Sequence, residues 1–316
     1  MSEEGKKIRV LAIVGPTASG KSALALELAK RLDGEIISCD SMQVYRRMNI
    51  GTAKPDESEL MSVRHHMIDV REPDGNYSCA EYVSDATMAI ADCAGRGKLP
   101  IICGGTGLYL DALLRNNDLE PDTTDESVRE ELMKYAEENG AQALWQILFE
   151  IDPESAAATH ANNIKRVARA IEIYRVSGVT KSELDRRSRS GGDRYDATVI
   201  GLRYGDRAEL YDRINKRVDI MLSMGLVAET EALMAEGVFE KNSTASAAIG
   251  YKELFSYLKG EESLEDAAET LKTATRRYAK RQMTWFSAKP YVRWIDADKK
   301  TFEDIVNNAQ DIFKNS

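Results

Sequence analysis

The segment Gly15-Pro16-Thr17-Ala18-Ser19-Gly20-Lys21-Ser22 constrains this chain more than any other. A continuous apolar run, Ile8–Val14, leads into it, and Leu24, Leu28 and Leu32 follow at helical spacing until Gly34. Gly-x-x-x-x-Gly-Lys-Ser between a strand and a helix is the phosphate-binding P-loop pattern. Glycines let backbone N–H groups turn inward around phosphate oxygens. The positive end of the following helix adds attraction. Lys21 supplies a mobile cation, and the Ser22 hydroxyl is placed to ligate Mg2+. A second apolar run, Glu35–Asp40, and a third, Leu99–Cys103, complete the opening of a parallel α/β sheet, with Tyr82–Ala94 as a helix between them.

A P-loop selects a di- or triphosphate and leaves the reaction open. Three features of ordinary nucleotide hydrolases are absent from the sequence. No Asp follows the third strand, and Asn215-Lys216-Arg217-Val218 fails the guanine-reading pattern at its last position. No second glycine-rich nucleotide cover is visible. The loop is therefore free to hold a phosphate compound other than ATP. In such folds strand ends gather at the ligand crevice. Asp40, closing the second strand, is a candidate base there, with a helix N-cap as its plain alternative. Thr106, in the turn Gly104-Gly105-Thr106-Gly107, is a candidate ligand-side hydroxyl or simply a turn residue.

Composition excludes other classes. Of 316 residues, 43% are hydrophobic and 30% charged, with no apolar run long enough to span a membrane. The N-terminus lacks the apolar stretch of a signal peptide. The four cysteines form no Cys-x-x-Cys pair, and the three histidines cannot complete a zinc pattern with them, so reduced thiols in a cytoplasmic protein are expected. The adjacent pair His65-His66 reads as structural, since neighbouring side chains point apart. The net charge of -9 argues mildly against nucleic acid, but it conceals two basic stretches. His160–Arg217 carries 14 Lys/Arg against 8 Asp/Glu, and Lys272–Arg293 carries 7 with no acid. Each is either a phosphate-binding stripe or a solvated helix face.

After Leu119 the pattern turns helical. Glu120–Asp125 reads as a linker ending in a helix start signal, and Val128–Phe149 and Asn163–Val176 as helices. Ser188–Asp196 reads as a polar loop and Ala197–Leu202 as a returning strand. Arg207–Glu236 and Leu264–Phe286 are expected as long helices, and Val292–Ile295 as a last strand. The predicted architecture is a P-loop α/β core in 1–119 and 197–316, interrupted by a mostly helical insertion, 120–196.

Beyond the P-loop, an ordered set of motifs resembles the tRNA dimethylallyltransferase (tRNA isopentenyltransferase) family. These are Asp40-Ser41-Met42-Gln43-Val44-Tyr45, Gly51-Thr52-Ala53-Lys54-Pro55, His65–Asp69 and Gly104–Tyr109. Further on come Lys165–Glu172, Arg213–Asp219, Ile249-Gly250-Tyr251-Lys252 and Ala279–Phe286. The match runs over about residues 8–295. The resemblance implies transfer of a dimethylallyl group from dimethylallyl diphosphate to N6 of the adenine at tRNA position 37, beside the anticodon, with release of diphosphate. It implies Gly15, Pro16, Thr17, Ala18, Ser19, Gly20, Lys21 and Ser22 as the diphosphate cradle, Ser22 with Mg2+. It also implies Asp40 as base, Thr106 near the reacting centre and Arg217 as a neutralising cation. The implied tRNA contacts are Asp40, Ser41, Met42, Gln43, Thr106, Arg129, Lys165, Arg166, Arg169, Arg276, Arg277, Lys280 and Arg281. Arg276/Lys280 and Arg277/Arg281 are expected on one exposed face, with Leu271, Thr275 and Tyr278 turned to the core.

The chain departs from the family at His160-Ala161 and at Ala247 and Ala248 before Ile249. It has no C-terminal zinc finger, which implies a bacterial-type enzyme; a cytoplasmic monomer is expected. The rivals are a small-molecule P-loop kinase, an isopentenyltransferase for free adenine nucleotides and a non-catalytic P-loop RNA switch.

Overall fold

A computed structural model describes residues 7–115, 125–190 and 192–316. These fall into two compact units, divided between Leu114 and Arg115 and between Arg194 and Tyr195. The expected linker at 120–124 lies outside the described residues.

The larger unit is built on six parallel strands: β1 (Arg9–Val14), β2 (Gly34–Ser38), β3 (His65–His66), β4 (Leu99–Gly104), β5 (Asp196–Arg203) and β6 (Val292–Asp296). Their order across the sheet is β3-β2-β4-β1-β5-β6. The central strands read as unbroken apolar runs because both faces are covered. Successive residues alternate between two cores. Leu11, Ile13, Ile36 and Ile101 pack under the helices Lys21–Arg31 and Phe302–Lys314. Val10, Ala12, Ile37 and Ile102 pack on the other face under the helices Cys79–Gly95, Gly107–Leu114 and Leu264–Ser287.

Strand register brings the loops together. Val14 pairs with Gly104, and Ser38 with Cys103, so β1, β2 and β4 end at the same level. Asp40 therefore lies two residues beyond its strand rather than closing it. Two expected long helices are each broken by a left-handed glycine. Gly140 (φ 87) separates Glu126–Asn139 from Ala141–Ile151, and Gly225 (φ 102) separates Arg207–Ser223 from Leu226–Ala235.

The two-residue edge strand β3 was too short to register in the pattern. His66 Nε2 meets Glu35 at 2.7 Å and His65 Nδ1 meets the Val63 carbonyl at 2.8 Å, so both histidines are structural. Among the described residues no group of three or more His, Cys, Asp or Glu is placed to hold a metal.

The smaller unit is helical. Leu132, Leu144, Leu148, Val167 and Ile171 form its core. Asp125 caps the helix Glu126–Asn139, as its sequence signal indicates. Helix Lys181–Ser190 runs into the stretch expected to be a loop.

Glu35 in β2 is 6% exposed and accepts from Arg96 Nη2 at 2.6 Å as well as meeting His66. The Arg96 hydrogen bonds hold its carboxyl at about 2, against burial that pushes the other way and with help from His66. A depressed carboxyl contributes stability that is complete above its unfolded value and is lost as pH falls through its folded one. Glu35→Gln is expected to cost about 1–3 kcal/mol at neutral pH. The gap from the parent should close as pH drops from about 4.5 toward 2, read by urea denaturation at several pH values.

Candidate active site

Three loops leave β1, β2 and β4 side by side. The P-loop comes first. Gly20 is the N-cap of its helix and offers no side chain to the first turn, so the helix's opening N–H groups remain available to an anion. Lys21 Nζ rests on the Pro16 carbonyl at 3.2 Å. The Ser19 hydroxyl is buried without a hydrogen-bond partner, a donor held in reserve inside the cradle. Ser22 follows, exposed, with the Cys103 thiol as a side-chain neighbour.

Asp40 opens the second loop. Its Oδ1 accepts from Met42 N at 2.9 Å, an Asx-type turn that orients the carboxyl. The third loop presents Thr106, whose Oγ1 accepts from Ser41 N at 3.1 Å, while its own N–H donates to the Cys39 carbonyl at 3.2 Å. Thr106 thus ties the third loop to the Asp40 loop through both its hydroxyl and its backbone N–H.

Asp40, Ser41 and Met42 line a cavity of about 260 Å³ together with Thr17, Arg217, Tyr278 and Arg281. The rest of its wall is largely apolar, including Val218, Met221, Ile249 and Leu271. Burial lowers the pKa of both cations. For Lys21 burial is the main cause, with Arg217 adding to it and Cys103 and Asp40 opposing. For Arg217 burial again dominates and Asp40 opposes. Two desolvated cations facing one carboxylate make a site that gains when an anion enters.

Sequence reasoning missed Gln282. It is 5% exposed and bridges two loops: its Oε1 accepts from Thr17 N at 2.8 Å and its Nε2 donates to the Gly105 carbonyl at 3.1 Å. The signal was a glutamine in the buried stripe Leu271, Thr275, Ala279, Gln282, Phe286, where an amide must find partners. Arg213 was also passed over; its Nε donates to the Ala18 carbonyl at 2.9 Å and steadies the P-loop.

The basic residues divide. Lys165, Arg166, Arg277, Lys280 and Arg281 are exposed. Arg276 is not on their open face: it is half-buried, donating to Asn215 Oδ1 at 2.6 Å and Thr273 Oγ1 at 2.8 Å. Leu271 and Thr275 are buried, as expected, and with the half-buried Tyr278 they also form part of the cavity wall. In the smaller unit Arg129 and Arg169 pair with the fully buried Glu172 at 3.2 and 3.0 Å, so each has a structural task.

The sequence pattern of the IPP transferases matches residues 43–289. The chain belongs to this family. Among its relatives, the tRNA dimethylallyltransferase of Acetivibrio thermocellus is 48% identical over 302 residues, covering 95% of this chain and 96% of that one. That of Bacillus cytotoxicus is 47% identical over 294 residues, covering 93% and 92%. Solved family members share the fold. The full-length tRNA isopentenylpyrophosphate transferase of Bacillus halodurans superposes with a TM-score of 0.71 at 43% identity, over 98% of each chain. A eukaryotic dimethylallyltransferase captured acting on tRNA gives a TM-score of 0.80 at 30% identity, over 98% of this chain and 80% of that one.

Gln282→Ala strands the Thr17 N–H and the Gly105 carbonyl. It is expected to weaken inorganic pyrophosphate binding by about 1–3 kcal/mol, measured by titration calorimetry, with the fold retained by circular dichroism.

Proposed function

We propose that this transferase prenylates tRNA by moving a dimethylallyl group from dimethylallyl diphosphate to N6 of the adenine at position 37 in the anticodon loop. The observation that carries this reading is the cavity itself, in which a carboxylate, Asp40, and a desolvated cation, Arg217, share a largely apolar wall that reaches the P-loop at Thr17. Residues 15–22 hold the diphosphate. As the bond from C1 of the allyl group to its oxygen breaks, the negative charge moves onto diphosphate, where Lys21 and Arg217 neutralise it. The adenine amine forms the new bond to C1, and Asp40 takes the proton that the amine loses. An exocyclic amine is a poor nucleophile, so stabilising the leaving group and orienting the amine are the two effects required. A positioned base adds typically about 10²–10⁴-fold. Thr106 fixes the loop that carries Asp40.

Mg2+ suits this cradle. It prefers oxygen ligands and keeps several waters, binding through few protein groups plus substrate phosphates. The exposed Ser22 hydroxyl is one such group. Bound there, the ion would add positive charge to the departing diphosphate.

The target base sits in a loop and can leave its stack to enter the cavity. Lys165, Arg166, Arg277, Lys280 and Arg281 are the proposed phosphate contacts, and Arg129, Arg169 and Arg276 are further proposed contacts. Ser41, Met42 and Gln43, beside Asp40, meet the base. One chain supplies every proposed catalytic group, so a monomer suffices, and a tRNA substrate implies the cytoplasm. Among the described residues no helix is long and apolar enough to cross a membrane. The kinase and free-nucleotide readings are not favoured, since the relatives from Acetivibrio thermocellus, Bacillus cytotoxicus and Bacillus halodurans are all tRNA transferases.

The direct test incubates the protein with dimethylallyl diphosphate, Mg2+ and unmodified tRNA, then analyses nucleosides by mass spectrometry. An adenosine carrying the five-carbon group is expected; its absence overturns the reading. Lys21→Ala and Asp40→Ala should each abolish turnover while the protein stays folded. The double variant Arg277→Ala, Lys280→Ala should weaken tRNA binding and flatten the slope of log affinity against log salt by roughly 1–2.

A further inference from the structure

The loop Tyr45–Pro55 takes no part in the transfer chemistry, yet Gly51 and Thr52 line the cavity. Its backbone is costly. Arg47 (φ 64) and Ala53 (φ 49) are non-glycine residues in the left-handed region. Such conformations persist only where their surroundings over-determine them, and they gather at functional sites.

Lys54 and Glu229 hold this loop. Lys54 Nζ closes it from within, donating to the Tyr45 carbonyl at 2.6 Å and to Asn49 Oδ1 at 2.9 Å. Glu229, in the first turn of helix Leu226–Ala235, holds it from outside. Glu229 Oε2 accepts from Asn49 N at 3.1 Å and Ile50 N at 2.9 Å. Its Oε1 accepts from Ile50 N at 3.0 Å, Gly51 N at 3.1 Å and the Tyr251 hydroxyl at 2.7 Å. Three consecutive backbone donors converging on one carboxylate make a nest, here filled by the protein's own anion.

Tyr251 extends the hold to a second segment of cavity wall, since Ile249, Gly250 and Lys252 also line it. Its ring occupies the space a β-carbon on Gly51 would need. The clamped loop also meets the segment that follows Asp40. Gln43, three residues after Asp40, donates through Nε2 to the Thr52 and Ala53 carbonyls at 3.2 Å each.

We propose that Glu229 is a positioning residue for the transfer, fixing the part of the cavity wall that receives the nucleobase beside Asp40. The role rests on the tRNA-prenylation reading. None of the groups that steady the P-loop, Gln282 and Arg213 among them, bonds to Glu229, so diphosphate binding is separate from it.

Glu229→Gln puts an amide N–H against backbone donors and breaks the nest without changing its size. The variant is expected to raise KM for tRNA on the order of tenfold or more, with the dissociation constant for inorganic pyrophosphate within about twofold of the parent. Amide hydrogen exchange at Asn49, Ile50 and Gly51 should quicken in step. Tyr251→Phe removes one bond but keeps the ring over Gly51, and should move KM the same way by a smaller factor; it keeps the test alive if Glu229→Gln fails to fold. Unchanged KM for tRNA in both variants, or an equal loss of pyrophosphate affinity, overturns the role. A parent enzyme that leaves tRNA unprenylated overturns the reaction, and this role with it. An active parent with indifferent variants overturns Glu229 alone.

Discussion

The Cys39 carbonyl occupies the space that a β-carbon on Gly104 would require. That close approach lets β2 and β4 deliver their loops to the same point. Cys39 N donates to the Cys103 carbonyl at 2.8 Å, and the Cys39 carbonyl accepts from Thr106 N, so the peptide before Asp40 is held on both sides. Gly105 continues the crowding, because a side chain there would run into the Gln282 amide. Through Gln282 the third loop is tied to Thr17 and hence to the P-loop. The arrangement of the candidate site is a consequence of how tightly three strand ends can be packed.

The same packing sets the electrostatics. Lys21 and Arg217 sit where burial disfavours charge, and Asp40 is the acid that opposes this for both. Fixed cations in a partly dry site interact with an arriving anion more strongly than they would in water, and they need little rearrangement when charge develops. Burial pushes the Cys103 thiol up to about 11, so it is a neutral neighbour of Lys21 at physiological pH.

Much of this architecture was legible in order along the chain. The P-loop, the strands β1, β2 and β4 and the helix Leu264–Ser287 follow from local apolar pattern and turn chemistry, which depend on neighbours in sequence. Asp40 and Thr106 were legible as candidates because strand ends converge in parallel sheets. What escaped were features whose cause is distant. The breaks at Gly140 and Gly225 interrupt patterns that keep their helical period on either side. Arg276 looked like one more exposed cation until Asn215, on another helix, claimed it. Tyr278 looked like core, but the space beside it is a cavity. Glu229 carried no signal, since a glutamate in a helix's first turn is commonplace and only the approach of Asn49–Gly51 gives it a task.

The sequence by itself determined a parallel α/β core opening on a P-loop motif, and its ordered motifs pointed to a tRNA-prenylating family, because glycine turns and apolar periodicity act over a few residues. The tertiary structure alone decided that Gln282 joins two loops, that Glu229 clamps a third and that Arg217 shares a cavity with Asp40. These partners lie 177 to 265 residues apart along the chain. Hydrogen bonds and fields act through space, and no local pattern encodes which distant segment will arrive beside another.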